Sequence, residues 1–237
     1  MTASAPSETN APSEGSAASR LIVIEGIDGS GKGTQTRRLR DRLADRGVAV
    51  RQIEFPRYEA NRFGGLIRRF LDGEFGPLDA VPPELAALLF AGDRFESAGR
   101  LAELLGDAGV LLCDRYVASN IAHQGSRLTG ERRERLVGFL DWLEHDLYAL
   151  PRPDLTIYLD VSPAAAGLNV LARAAATGAA VDIAESDSEH LAQSAAVYGQ
   201  LARQPNWLRI ACDNGVEMRP VDEIADDVLA AVEPLLP

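Results

Sequence analysis

Lys32 is the only lysine in this 237-residue chain, and it stands in the run Gly26-Ile27-Asp28-Gly29-Ser30-Gly31-Lys32-Gly33-Thr34. The other 23 of its 24 lysine and arginine residues are arginine. An ammonium on a thin stem reaches between phosphates where a planar guanidinium is too broad. Backbone N–H groups of a glycine-rich loop, with the positive end of a following helix, hold phosphate oxygens. The chemistry these residues suit is nucleoside triphosphate binding, with Lys32 bridging the phosphates. Gly33 has no hydroxyl for a Mg²⁺ ion, so Thr34 must serve the metal, alone or through water. A plain glycine-rich turn is the alternative reading, and context decides against it. Leu21 to Glu25 before the run is a buried-strand pattern, and Thr34 to Arg46 after it reads as a helix closed by Gly47.

The remaining elements follow the same alternation. Strands are expected at Val48 to Phe55 (less apolar than the first), Gly109 to Cys113, Leu155 to Val161 and Trp207 to Ala211. Helical patterns lie between them, at about 62–72, 82–107, 130–148, 163–176, 187–203 and 220–234. This predicts an α/β fold of three layers, a five-stranded parallel sheet with helices on both faces. Ligands bind beyond the carboxyl ends of strands in such sheets. The glycine loop, Phe55-Pro56-Arg57, Asp114-Arg115 and Val161-Ser162 all follow strands, so they are expected to converge on one edge.

Residues 1–19 are mostly Ser, Ala, Pro, Glu and Thr with no aromatic or large aliphatic side chain beyond Met1, and are expected to be disordered. Residues 20–237 then form one domain. No secretory signal, transit peptide or run of eighteen apolar residues is legible. Cys113 and Cys212 read as separate buried thiols, which suits a reducing cytoplasm. The net charge of −11 argues against nucleic acid or an anionic membrane as partner. An acidic protein that handles phosphates must gather its cations locally. Arg57, Arg62, Arg68, Arg69, Arg94, Arg115 and Arg127 mark the region of a second substrate, with Arg68 and Arg69 read as a solvated face. His123, His145 and His190 lack metal-ligand spacing, and only His123 is expected near the site. Trp142 and Trp207 read as packing residues.

From residue 21 to about 230 the chain resembles the thymidylate kinases, a family of P-loop nucleoside monophosphate kinases. Four motifs carry the resemblance: Ile24-Glu25-Gly26-Ile27-Asp28-Gly29-Ser30-Gly31-Lys32-Gly33-Thr34-Gln35, Phe55-Pro56-Arg57-Tyr58 followed by Gly64 and the helix Leu66 to Gly73, Leu89-Phe90-Ala91-Gly92-Asp93-Arg94, and Asp114-Arg115-Tyr116-Val117-Ala118-Ser119-Asn120. The stretch around Tyr198, Pro205-Asn206-Trp207 and Ile210-Ala211-Cys212 is similar to one branch of the family. The resemblance implies ATP as donor, dTMP as acceptor and Mg²⁺ as metal. It puts Asp28 toward the acceptor's sugar, and Arg57, after the Phe55-Pro56 corner, on the acceptor phosphate. Phe90 and Arg94, four apart on a helix, stack on the pyrimidine and donate to a base carbonyl. Arg115 neutralises phosphoryl oxygens. Asp114 holds Mg²⁺ through water or orders the clamp, a structural ion pair being the alternative. Ser119, Asn120 and Gln124 lie beside the base, with Asn120 the reader of its polar edge. The family also implies a homodimer, through the helices at 62–72 and 82–107.

One departure from the family pattern bears on catalysis. Thymidylate kinases bring a basic side chain to the transferring phosphoryl from within the P-loop or from a lid. Here the loop position is Gly29, and the lid, Ala172 to Glu185, holds Arg173 as its one basic residue. Three readings stay open. Arg173 closes over ATP; or Arg57 or Arg115 supplies the charge; or the protein binds nucleotides and turns over slowly. Another (deoxy)nucleoside monophosphate is the alternative acceptor. Asp182 and Glu185 either tie the lid down or are solvated carboxylates.

Overall fold

The computed structural model describes residues 19–236 apart from Ala179 and Val216; the expected disordered tail, save Ser19, lies outside the described residues. The elements alternate as the pattern requires: β1 (Arg20–Glu25), α1 (Lys32–Asp45), β2 (Val50–Glu54), α2 (Arg62–Leu71), α3 (Pro83–Glu96), α4 (Ala98–Gly106), β3 (Val110–Asp114), α5 (Val117–Gly125), α6 (Gly130–Asp141), β4 (Leu155–Asp160), α7 (Pro163–Thr177), α8 (Ser188–Leu201), β5 (Trp207–Ala211) and α9 (Val221–Val232). The five strands form one parallel sheet in the order β2-β3-β1-β4-β5.

Apolar content explains that order. Leu21 to Ile24 and all of β3 are buried, as interior strands covered on both faces must be. The more polar β2 and β5 take the edges, where alternate residues meet water. Because β1 lies between β3 and β4, the loop after it is flanked by the carboxyl ends of both. Ile24 is paired with Asp114, and the Arg115 N–H donates to Ile24 O at 3.0 Å, which sets Arg115 beside the glycine loop.

Two expected helices are interrupted. The 82–107 pattern divides at Ser97, a fully buried residue whose hydroxyl accepts from Asn61 Nδ2 at 2.7 Å. A polar side chain tied across to another segment at this point ends α3 and restarts the chain as α4. The 130–148 pattern ends α6 at Asp141 and continues as a π-helical turn, Trp142–Leu147. That turn places Glu144 in the interior, a consequence that hydrophobic periodicity could not disclose. The apolar face of α2 is covered within the chain: Ile67, Phe70 and Leu71 pack with Leu78 and Ala86 in a core separate from the one under the sheet. Among the described residues no helix is long and apolar enough to cross a membrane.

Candidate active site

The glycine loop connects β1 to α1 with its lysine drawn inward. Lys32 is 7% exposed, and its Nζ donates to Ile27 O at 2.8 Å. Burial, reinforced by the nearby Arg115 charge, lowers its pKa to about 8, against the pull of Asp28 and Asp114. Gly29 has φ +82°, and a Cβ there would stand 2.1 Å from Ala166 O at the start of α7. An arginine at this loop position is thus excluded unless the backbone moves. The same helix fixes the loop from above, since Asn169 Nδ2 donates to Gly29 O at 2.9 Å.

Two cavities meet at this loop. An open cleft of about 660 Å³ is lined by Asp28 to Gln35, Asp114, Arg115, Asn169 and Arg173, with Met218, Val221 and Ile224 forming an apolar part of its wall. A narrower cavity of about 100 Å³ is lined by Phe70, Phe90, Arg94, Asn120, Gln124 and His123, among others. Asp28, Phe55, Pro56, Tyr58, Arg115 and Glu185 line both. Arg115 holds φ +64°, unusual for a side-chain-bearing residue, and pairs with Asp28. Its Nη1 donates to Ser119 Oγ at 3.1 Å and contacts His123 Nε2 at 3.2 Å. Burial works against the charge on Asp28, but Arg115 and Lys32 hold its carboxyl well below the ordinary range.

Beneath Arg115 lies Glu25, fully buried. Its Oε1 accepts from the Tyr116 and Ser119 N–H groups at 2.8 and 3.1 Å, and its Oε2 from the Ser119 and Tyr198 hydroxyls at 2.7 and 2.8 Å. A carboxylate under the first turn of α5 meets N–H groups that the helix itself leaves unpaired. It fixes the segment carrying Arg115, Ser119 and Asn120. Ser119 lines the cavity, yet its hydroxyl is already engaged in this wiring.

At the narrow cavity Arg94, 3% exposed, forms a bidentate pair through Nε and Nη2 with Glu144, 0% exposed, behind it. The guanidinium's remaining end, Nη1, is left for the cavity. Asn120 Nδ2 donates to Ala87 O at 2.9 Å and to Glu144 Oε1 at 3.2 Å. Those donors pin the amide orientation, and Asn120 Oδ1 is buried without a partner. A donor and an orphaned acceptor thus stand together on one wall. Phe90 meets Phe70 edge to face at 6.5 Å, giving the cavity an aromatic floor.

One expected residue goes elsewhere. Arg57 lines neither cavity: its N–H donates to Asp93 Oδ2 at 2.9 Å, and its guanidinium donates to the buried Ser97 Oγ at 3.4 Å. After the Phe55-Pro56 corner it is the next residue, Tyr58, that faces the junction, with the Arg68 guanidinium 4.3 Å above its ring. His190 joins His123 in lining the narrow cavity, with His123 Nδ1 and His190 Nε2 at 3.3 Å, so His123 is not alone there. Asp182 also lines it; its Oδ1 accepts from the Ala184 and Glu185 N–H groups, and burial raises its pKa to about 6. Arg173 lines the open cleft, where it pairs with Glu185 at 2.6 Å. Phe90, Arg94, Ser119 and Asn120 are brought together as expected, and Thr34 and Asp114 share the open cleft with Lys32. Sequence reasoning missed Glu144 and Asn169, which belong to no motif, and did not single out Phe70 within the helix that follows the second motif. Glu25 and Tyr58 were inside quoted motifs and could have been found there.

A family model described as thymidylate kinase matches residues 24–219. The chain is 34% identical over 197 residues to a thymidylate kinase of Mycobacterium tuberculosis, covering 81% of this chain and 92% of that protein. To the thymidylate kinase of Homo sapiens it is 30% identical over 141 residues, 60% of each. A solved thymidylate kinase structure from Candida albicans matches with a TM-score of 0.69 and 23% identity, covering 93% of this chain and 94% of that one, a likeness of fold.

Proposed function

The chain belongs to the thymidylate kinase family and is a phosphotransferase; we propose that its open cleft takes ATP, its enclosed cavity takes dTMP, and the γ-phosphoryl crosses where the two meet, giving ADP and dTDP. The observation that carries this arrangement is the shared wall of Asp28, Tyr58 and Arg115. A group bound from either side is brought against the same guanidinium, so donor and acceptor phosphates are set close while their charge is neutralised.

In this reading Lys32 leaves Ile27 O and bridges the donor phosphates, and the loop N–H groups hold their oxygens. Met218, Val221 and Ile224 give the adenine a dry wall. Arg173 lies near enough to reach the donor from α7, which supports the lid reading over a charge from Arg57. Asp114 and Thr34 would hold Mg²⁺. Asp114 is 9% exposed, and burial raises its pKa against the pull of Lys32 and Arg115. Among the described residues no cluster of three metal-ligating side chains exists, which fits an ion that keeps its waters and takes substrate phosphates. When bound, that ion offsets the charge developing on the phosphoryl oxygens.

At the acceptor end the orphaned Asn120 Oδ1 suits the N3–H of a thymine or uracil, and Arg94 the neighbouring carbonyl. Cytosine presents the reverse at both places. Uracil differs by one methyl, worth about 1 kcal/mol at most in an apolar wall. The buried, unbridged thiols of Cys113 and Cys212 support a cytoplasmic setting. A homodimer is supported by exposed apolar side chains: Leu85, Leu88 and Phe95 on α3, and Phe139 beside Trp142 at the end of α6 and the turn after it. The α2 helix contributes no such face, and Trp142, at 48% exposure, belongs to these exposed side chains rather than to the core.

The test is ADP release from ATP and Mg²⁺ against a panel of nucleoside monophosphates, with Lys32→Ala alongside. Turnover is expected with dTMP above dUMP and well above dCMP, dAMP and dGMP, falling about 10³-fold in the variant. A different best acceptor would move the specificity; nucleotide binding without any turnover would overturn the reading.

A further inference from the structure

The arginines of α1 divide into two groups. Arg38, Arg42 and Arg46, spaced one turn apart, pair with Asp222, Asp226 and Glu233 on and just after α9, and Arg40 pairs with Asp41. Arg37 has no carboxylate at ion-pair distance among the described residues. It is exposed, and the side-chain hydrogen bond it makes is a long one, from Nη2 to the Thr34 hydroxyl at 3.5 Å. It lines the open cleft. The other arginines of that cleft, Arg115, Arg173 and Arg219, are each held by a carboxylate, from Asp28, Glu185 and Asp227.

Arg37 lies one turn after Gly33. A Cβ at 33 would lie 3.5 Å from Arg37 Nη1 and 3.3 Å from Asp114 Oδ2. The bare backbone therefore leaves a gap that a guanidinium approaches from α1 and a carboxylate from β3. Most P-loops place a Ser or Thr hydroxyl there to serve the metal and phosphates. This chain has no hydroxyl at that point and no room for an arginine at Gly29, but it has a cation without a carboxylate partner at the edge of the gap.

We propose that Arg37 is a positioning residue for the donor, binding the phosphate chain of the nucleoside triphosphate from α1 and supplying charge that Gly29 and Gly33 cannot. This rests on the reading of the open cleft as the donor site. A guanidinium with free donors, held beside a phosphate-binding loop, is suited to bidentate contact with phosphoryl oxygens. Met218, Val221 and Ile224 give the same cleft an apolar wall suited to a base, and Gly33, Thr34 and Arg37 line it as well.

Equilibrium binding of ATP and of adenosine to the wild type, Arg37→Ala, Arg37→Lys and Arg38→Ala, with thermal midpoints and steady-state constants for both substrates, tests this. Arg37→Ala is expected to weaken ATP about tenfold, to leave adenosine binding, the dTMP KM and the thermal midpoint unchanged, and to lose its extra ATP dissociation at high salt. Arg37→Lys is expected to recover part of the loss. Arg38→Ala, whose partner is Asp222, is expected to bind ATP as the wild type does. Unchanged ATP affinity in Arg37→Ala, or an equal loss for adenosine, would overturn the proposal. Absence of wild-type turnover with dTMP would instead sink the kinase reading and leave the binding comparison intact.

Discussion

The acceptor cavity and the donor cleft are built on opposite terms. The first, at about 100 Å³, has its base-side groups fixed before any ligand arrives: Arg94 paired with Glu144, and Asn120 pinned by two acceptors. The second, at about 660 Å³, is open, its lysine is folded onto its own loop, and Arg37 is uncommitted. Reading one base edge calls for donors and acceptors fixed in advance, because an adaptable pair would accept the reversed pattern. Holding a triphosphate calls for charge that can close around it. The contrast places selectivity in the rigid half and conformational response in the other.

The sharpest way to break this contrast is to unmatch the rigid half. Arg94→Met leaves the Glu144 carboxylate buried without its cation, and global stability is expected to fall by about 3–5 kcal/mol in denaturant unfolding. Adding Glu144→Gln to it should restore most of that loss. A small effect of the single change would mean the pair is not part of the folded core, and preorganisation would fail as an explanation of the cavity.

A subtler change sharpens the assignment of selectivity. Asn120→Ala removes the orphaned acceptor, and the preference for dTMP over dCMP in kcat/KM is expected to drop about tenfold. The ATP KM should stay where it was. If both constants move together, the two halves are coupled more tightly than their geometry implies.

The smallest effect concerns a carboxyl on the wall of the narrow cavity. Asp182 has its pKa raised to about 6, chiefly by burial, with Asp28 and Glu185 adding repulsion. The folded state therefore holds this proton more firmly than the unfolded chain. The cost of the charge is absent below about pH 4, grows as pH rises toward 6, and is complete above it. Asp182→Asn keeps an oxygen for the Ala184 and Glu185 N–H groups. It is expected to stabilise the protein by about 1 kcal/mol at pH 7 and not at pH 4, a partly exposed site being screened. Thermal scans across that range would expose an opposite slope.

What could be read from the sequence followed physical locality. The fold was legible because apolar runs mark interior strands: Leu21 to Ile24 and Val110 to Cys113 occupy the sheet centre, and the polar Gln52 and Glu54 mark an edge. The glycine loop was legible because its chemistry is contiguous. Arg57 misled, since a motif gives proximity in the chain and not the direction of a side chain at a bend. Glu144 was invisible: it reaches Arg94 from fifty positions away on a π-helical turn that no periodicity announces. Arg37 is one arginine among several in the sequence of α1, and only the gap at Gly33 and the pairing of its neighbours set it apart.

The lone lysine has a consequence outside catalysis. With its pKa lowered to about 8 by burial, Lys32 holds a larger free-amine fraction at neutral pH than an ordinary lysine, and no other side-chain amine competes with it. Acylating reagents that scatter over the surface of most proteins have, apart from the chain's α-amino group, one address here, and it lies in the phosphate loop. The protein thus carries its own single-site label, with a mass increment and loss of labelling under ATP as direct reports of whether the donor cleft is filled.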